Sequence, residues 1–348
     1  MNAGTSTIEW LYSTQLQVDD EWAARTPDGF RWWADQQAQT IEVVGQEAGG
    51  PDEATGYFVA VRTELLRGVE LDEQGLTALN DAYMMAASLA GVVYDADAGR
   101  LNLCSLVRVY DDIADWMKLV ISMAAVLQVG EARFMAPVPA EMLGADVARS
   151  GHAENGRRPQ PDEMAGIIHT LVLPRGQLPA MWTTGEFEEV LAKYMQQPPA
   201  LLASGGGLAF TVELPWADES SLCQAMTSQP HPAYGNGLLV LQSFPVARTS
   251  AAEGIKLALD LNRRELIEEP FGYGLGSYSW GNGMLHFSTF FPNTMYKLGM
   301  LPNLYFACTA RARGVAKLLT GRDWTGDWFD PAHSAFGRMM GFDELDSL

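Results

Sequence analysis

Residues 250–291 read SAAEGIKLALDLNRRELIEEPFGYGLGSYSWGNGMLHFSTFF, and this stretch decides the fold. Ser250 and Glu253 have the spacing of a capping box at a helix start, and the apolar residues that follow recur at helical intervals. A glycine-rich part then predicts a β-hairpin that turns at Gly281-Asn282-Gly283. Because a second helix is predicted over 302–319, the stretch indicates the order helix, hairpin, helix.

The same order occurs once earlier in the chain. A helix is predicted over 71–91, a strand pair over 92–109 and a helix over 111–134. Two short motifs align between the copies, at offsets of 182 and 184 residues: Leu79-Asn80 with Leu261-Asn262, and Gly99-Arg-Leu101 with Gly283-Met-Leu285. Self-similarity at this spacing predicts two copies of one domain rather than a short-period solenoid.

Strands are also predicted before the middle helix of each copy. They lie over 30–33, 40–47 and 57–65 in the first copy and over 208–214, 222–227 and 238–244 in the second. The predicted fold is therefore α+β, with antiparallel sheets, helices on one sheet face and the order α-β-β-β-α-β-β-α in each copy. Asp72, Thr184 and Ser250 are predicted as N-caps of three of the helices.

Proline and glycine punctuate the polar region between the copies, which predicts a linker. The predicted divisions are a first domain over 1–136, a linker over 137–163, a second domain over 164–320 and a C-terminal tail over 321–348.

Repeated in tandem, this order of elements resembles the YbjN family and the related type III secretion (Tir-type) chaperone fold. The resemblance rests on Leu261-Asn262, the hairpin over 273–290 with Gly283-Met-Leu285, the helix after it, and their counterparts in the first copy. It implies an acidic, soluble and non-enzymatic protein that binds a protein partner. It also implies pairing through a shared face, as a homodimer or as an internal pseudo-dimer, and it carries over no catalytic residues.

Composition limits the classes of partner. The chain has 348 residues, a formal net charge of −20 and a pI of about 4.5, which argues against binding nucleic acid or anionic membrane surfaces. No apolar run reaches the roughly 18 residues of a membrane helix, and the N-terminus does not read as a signal peptide. Cys104, Cys223 and Cys308 lie far apart in apolar runs, which is typical of reduced core thiols. We therefore expect a cytoplasmic protein without membrane insertion.

No motif predicts a catalytic, metal or cofactor site. Asp95-Ala-Asp-Ala-Gly99 begins like a calcium loop, but the positions that need a ligand, a glycine and an acid carry Gly99, Arg100 and Leu106. A hairpin turn is predicted there instead. Gly272-Tyr-Gly274-Leu-Gly276 lacks the spacing of a dinucleotide-binding loop. The histidines are scattered, and His286 is interpreted as a structural residue.

Aromatic residues supply the candidates for partner binding, because tryptophan and tyrosine are enriched at interface hot spots. The candidates are Trp280, Phe290, Phe291, Trp324 and Trp328. The competing interpretation of each is an ordinary place in the hydrophobic core.

The sequence is consistent with three functions. The first is non-enzymatic binding of a protein client, as a chaperone-like molecule or a regulatory adaptor. The alternative is an enzyme or small-ligand binder with a site in the groove between the copies, lined by 272–283 and by Trp280 or His286. The third is a structural or regulatory subunit that docks through the tail over 324–342.

Overall fold

The computed structural model of the chain consists of two antiparallel sheets packed against helices. It describes residues 2–48, 54–86, 88–111, 114–164, 179–193, 207–216, 219–246 and 250–321. The architecture confirms the predicted α+β class. No helix in these ranges has the length and apolarity that a membrane crossing requires.

The first sheet is formed by the N-terminal half of the chain. Its strands are β1 Ala23–Arg25, β2 Gly29–Trp32, β3 Gln39–Glu47, β4 Gly56–Arg67, β5 Gly91–Asp95, β6 Arg100–Val109 and β7 Asp146–Val147. They pair in the order β1-β2-β3-β4-β6-β5, and β7 pairs with one end of β4. The predicted strands over 30–33, 40–47 and 57–65 thus correspond to β2, β3 and β4.

The second sheet is formed by the C-terminal half. Its strands are β8 Ala209–Trp216, β9 Glu219–Met226, β10 Gly237–Phe244, β11 Ser277–Gly281 and β12 Met284–Pro292. They pair in the order β11-β12-β10-β9-β8. Five strands of the first sheet, β2-β3-β4-β6-β5, have the same order. In both sheets three consecutive strands are followed by a hairpin, and the second strand of the hairpin pairs with the third strand.

The helices occupy the positions around these strands. They are α1 Ala3–Trp10, α2 Glu73–Leu79, α3 Ala114–Met135, α4 Pro137–Met142, α5 Thr184–Lys193, α6 Ala251–Arg263 and α7 Met300–Thr320. Three of them, α1, α2 and α6, continue as single π-helical turns over Leu11–Gln15, Asn80–Met84 and Arg264–Glu268. Such turns widen the helix locally and re-aim the residues that follow.

Two helix caps agree with the sequence, and two helix starts differ from it. Asp72 accepts a hydrogen bond from Gly75 N (2.7 Å) and Ser250 accepts one from Glu253 N (3.2 Å), as predicted. At α5 the hydroxyl that accepts from Glu186 N (3.4 Å) belongs to Thr183, so the cap lies one residue before Thr184. Helix α7 begins at Met300, before the predicted Pro302, because Gly299 takes the left-handed conformation (φ +83°) at its entry.

Both predicted hairpin turns are present. Asn282 (φ 52°) and Gly283 (φ 75°) are left-handed between β11 and β12, as a two-residue hairpin turn with two positive φ values requires. Between β5 and β6, Gly99 is left-handed (φ 57°) and Asp95 Oδ1 accepts from Ala98 N (3.1 Å). The Asp95–Gly99 segment is therefore a turn.

A long helix covers the inner face of each sheet. In the first half, Gln128 of α3 donates to Ser105 Oγ (2.9 Å) and accepts from Thr63 Oγ1 (2.9 Å). In the second half, Gln242 of β10 donates to Cys308 O of α7 (2.9 Å). Buried amides need such partners, so these bonds fix how far each helix is shifted along its sheet.

Residues 137–163, predicted as a linker, are bonded to the first half. They contain α4 and β7, and their backbone donates from Ala148 N to Leu65 O (2.9 Å) and from Ser150 N to Gln36 O (2.7 Å). Arg158 pairs with Asp162 (3.1 Å) in the same segment. The chain therefore runs along the first sheet before it enters the second half. The domain boundaries drawn from the sequence stay predictions.

The two halves meet at the hairpin edges of their sheets. Strand β11 is an edge strand, and two asparagine side chains bind its outward backbone groups. Asn262 accepts from Tyr278 N (2.7 Å) and donates to Tyr278 O (3.2 Å). Asn80, from the first half, accepts from Trp280 N (2.9 Å) and donates to Trp280 O (3.0 Å). The amides thus take the place of a neighbouring strand.

We expect Asn80→Ala to destabilise the protein by about 2–4 kcal/mol, because both backbone groups of Trp280 would lose their partner in a buried place. Urea unfolding measures the change. Asn303→Ala is the matched control, because Asn303 donates to Gly299 O (2.8 Å) at an exposed position. Equal stability of the two variants would show that Asn80 does not hold the two halves together.

Candidate functional sites at the junction and on the second sheet

The segment after α2 lies over the outer face of the β11–β12 hairpin. Phe290 N donates to Ser88 O (3.4 Å), which joins this segment to β12. A β-carbon on Gly281 would lie 3.3 Å from Met85 Cε, so the methionine packs directly on the end of β11. This contact region between the halves, with the side chains described next, is called the junction.

Glu131 of α3 is a buried acid at the junction. It is 7% exposed, accepts a bond from Ser88 Oγ (3.3 Å) and accepts a second one from Tyr234 of the other half. Burial raises the pKa of Glu131 to about 7, although both hydrogen bonds act in the opposite direction. Desolvation therefore dominates, because the charged carboxylate loses more by leaving water than the two donors return.

The turn between β9 and β10 presents Tyr234 to this acid. His231 and Gly235 close the turn with reciprocal backbone bonds of 2.8 and 2.9 Å. The His231 ring stacks on Tyr234 with centroids 4.4 Å apart and also contacts Phe290 at 5.0 Å. Because His231 Nδ1 accepts from Ala233 N (3.0 Å), the ring is locked in place. The stack holds the tyrosine hydroxyl at the carboxylate, and burial raises the pKa of Tyr234 well above its ordinary value.

The space beside Glu131 is too small for a substrate. It measures about 20 Å³ and is bounded in part by Tyr83, Ser88 and His231. A volume of that size holds about one water molecule, whereas ligand pockets are roughly 300–1,000 Å³. The acid can therefore exchange a proton with a water, but the junction as folded does not admit a small organic ligand.

A serine–histidine pair lies on the same sheet face. Ser243 Oγ is 2.8 Å from His286 Nδ1, and His286 Nε2 is 3.0 Å from Gly281 O. A carbonyl only accepts, so Nε2 carries the proton and Nδ1 accepts from the serine. In the Ser-His-Asp triad a carboxylate occupies the third position; here that position is taken by the backbone carbonyl of Gly281. Burial lowers the pKa of His286, and the pair acts as a cross-strand link.

The outer face of the second sheet is open beyond the junction. Gln242 of β10 points at α7. Because side chains alternate along a strand, Leu239 and Leu241 face away from that helix. Their neighbours on β9 are Met226, opposite Leu239, and Leu222, opposite Ser243. Leu222 is 38% exposed, and the other three are partly exposed. These residues, Leu222, Met226, Leu239 and Leu241, are called the apolar patch.

The outer face of the first sheet has a different chemistry. It carries ion pairs instead of aliphatic side chains: Arg31–Glu64 (2.6 Å), Arg67–Glu64 (2.6 Å), Arg62–Glu42 (3.5 Å) and Arg108–Glu47. Partly exposed apolar residues on a sheet indicate a contact surface, whereas solvated ion pairs do not. The second sheet is therefore the better candidate for binding a partner.

The structure places the predicted partner-binding residues as follows. Trp280, Phe290 and Phe291 are 8%, 1% and 1% exposed and belong to the core cluster. A β-carbon on Gly254 would lie 2.1 Å from the Trp280 ring, so the helix backbone packs flat on the indole. Trp324 and Trp328 lie outside the described residues. The role of all five in partner binding stays a prediction.

Sequence reasoning missed Glu131 and Tyr234. Glu131 is a single acid inside the apolar stretch 120–132, and that isolation is the one signal that could have found it. Tyr234 lies in a loop read only as a turn. The three cysteines are buried and free, as predicted. Within the described ranges, no three His, Cys, Asp or Glu side chains come together as metal ligands do.

Comparisons of the chain with protein-family models, with curated proteins and with solved structures found no match.

We expect the pKa of Glu131 to make stability depend on pH. The folded-state pKa is raised, so the protonated acid favours folding and this contribution is lost as pH rises from about 4.5 to about 7. The loss is about 3 kcal/mol. Glu131→Gln should remove this loss. The free energy of unfolding of this variant should therefore increase relative to that of the wild type between about pH 5 and about pH 8.

Tyr234→Phe supplies the second arm of this experiment. It removes a hydrogen bond that lowers the pKa of Glu131, so the loss of stability should begin at the same pH, extend to higher pH and become larger. Urea unfolding across the pH range measures both variants. Parallel profiles for the wild type and Glu131→Gln would contradict a titrating acid at the junction.

Proposed function

We propose that this protein is a non-enzymatic, chaperone-like or adaptor protein that binds a protein partner on the apolar patch of its second sheet. The observation that carries the proposal is the difference between the two outer sheet faces. One is covered by ion pairs, and the other presents partly exposed leucine and methionine side chains.

We also propose that the chain contains two copies of the α-β-β-β-α-β-β-α domain. Both sheets have the same succession of neighbours. The middle helix of each half, α2 or α6, ends in a π-helical turn, and Asn80 and Asn262 are buried near these turns. The closing helices have similar lengths, 22 residues in α3 and 21 in α7. These parallels support a duplication.

The resemblance to the YbjN and Tir-type chaperone families supports a role of this arrangement in protein binding. Proteins of that kind are expected to pair through a shared face and to bind clients. Here the β5–β6 and β11–β12 hairpins belong to one chain and meet at the junction, which supports an internal pseudo-dimer. A cytoplasmic location is part of the proposal and is supported by the free thiols.

The acidic charge fits this function. A net charge of −20 keeps the chain soluble through self-repulsion. A partner with an exposed apolar segment can then be held on the patch while the complex stays in solution.

An enzyme or small-ligand binder with a site between the halves is the second candidate. The pKa of about 7 at Glu131 favours it, because a poised acid is typical of functional sites. The cavity of about 20 Å³ argues the other way, because a substrate would have to open the junction. We therefore place protein binding first.

Leu222→Glu is expected to weaken capture of the partner at least tenfold, because it places a charge on the most exposed residue of the apolar patch. Val44→Glu is the matched control. Val44 is 37% exposed against 38% for Leu222, and it lies at the bulge of β3 on the other sheet. Both variants should fold, as checked by circular dichroism, since neither residue is in the core.

The measurement is affinity capture from the native lysate with the wild type and both variants, read by quantitative mass spectrometry. One protein that is held in stoichiometric amounts by the wild type and by Val44→Glu, and is reduced at least tenfold with Leu222→Glu, supports the patch. The same proteins with all three baits, or no protein with the wild type, would rule it out.

A further inference from the structure

A second surface of the molecule has the opposite charge to the chain as a whole. A cavity of about 530 Å³ opens beside β7 and the end of α4. Three arginines line it together with small apolar residues and one acid: Arg67, Arg149, Arg157, Ala140, Ala145, Val147 and Asp146. Acidic residues outnumber Lys and Arg by 43 to 23 in the sequence. Three arginines around one cavity are therefore unusual for this chain.

Two of these arginines are not neutralised. Arg149 and Arg157 are exposed, and neither forms an ion pair with any of the residues that the structure describes. Arg67 binds Glu64 through Nη2 (2.6 Å), but Glu64 also binds Arg31 (2.6 Å), so one carboxylate serves two guanidinium groups. The Nε of Arg67 is buried and has no hydrogen-bond partner.

The backbone around the cavity is fixed. Strand β7 pairs with β4, which sets Asp146 opposite Arg67. Arg149 N donates to Val147 O (2.7 Å). Next to Arg157, Arg158 is bound to Asp162 (3.1 Å) and donates to Trp33 O (3.0 Å). The fold therefore places the three arginines along the lining of one cavity.

We propose that this cavity binds the phosphate group of a small organic phosphate. A guanidinium forms two parallel hydrogen bonds to phosphate, and a phosphomonoester offers three terminal oxygens and more negative charge than a single carboxylate. The volume lies in the range of small-molecule pockets and exceeds what the phosphate alone fills. The apolar lining residues Ala140, Ala145 and Val147 receive the organic part, and Asp146 accepts from a hydroxyl of it. This site is independent of the apolar patch.

Calorimetric titration of the full chain at constant ionic strength tests the site. The probes are inorganic phosphate, glucose 6-phosphate, citrate and a short glutamate peptide. We expect saturable binding of both phosphates, with glucose 6-phosphate the tighter, and weakening with added salt. Arg149→Gln/Arg157→Gln should weaken binding at least tenfold.

The control has the same change of charge elsewhere. Arg25→Gln/Arg263→Gln removes two exposed arginines that do not line the cavity, and its affinity should equal that of the wild type. Asp146→Asn removes a negative charge from the rim and should tighten inorganic phosphate severalfold. A purely structural role for Asp146 would not produce that gain.

Several results would overturn the proposal. If both double arginine variants weaken phosphate binding equally, the binding is a general effect of charge and not of this cavity. Binding of the glutamate peptide alone would make the surface a docking site for an acidic protein segment. Lack of saturable binding by either phosphate would show that the cavity does not recognise this group.

Discussion

The structure depends on how the open edge of β11 is satisfied. An edge strand leaves backbone N–H and C=O groups without a partner, and such groups are costly when buried. Here Asn262 binds Tyr278 and Asn80 binds Trp280, both through the backbone. One amide comes from each half, so the edge can be completed only when the halves are together. The same amides prevent another chain from adding a strand at this edge.

Close backbone contact makes the arrangement specific. Gly274 and Leu106 exchange two backbone bonds of 3.0 Å across the halves, and a β-carbon on Gly274 would lie 2.3 Å from Leu106 O. Glu131 and Tyr234 then bury a polar contact between α3 and the β9–β10 turn. Each half thus carries polar groups whose partners are in the other half. The halves are expected to fold as one cooperative unit, because separation would leave these groups unpaired.

Local features of the fold could be predicted from the sequence, and contacts between distant residues could not. The turn at Asn282-Gly283 and the caps at Asp72 and Ser250 depend on neighbouring residues, so their pattern is sufficient. Leu79-Asn80 and Leu261-Asn262 align in the sequence, but the role of the two asparagines depends on which strand is at the edge. Glu131 and the apolar patch depend on sheet order and burial, which a single sequence does not define. The predicted order includes a helix before the first strands, but the pattern does not give the bounds of α1, because the π-helical turn that follows it breaks the helical period.

The two halves of the chain differ where it matters for the proposed function. An internal pseudo-dimer of identical domains would present the same outer face twice. In this chain the outer face of the first sheet carries Arg62–Glu42 and the Glu64 pairs, whereas Leu222 and Leu241 occupy the second. A charged face repels an apolar segment that the other face accepts. Of the two outer sheet faces that the structure describes, the second is therefore the apolar one, and the proposed complex has one partner for each copy of the protein.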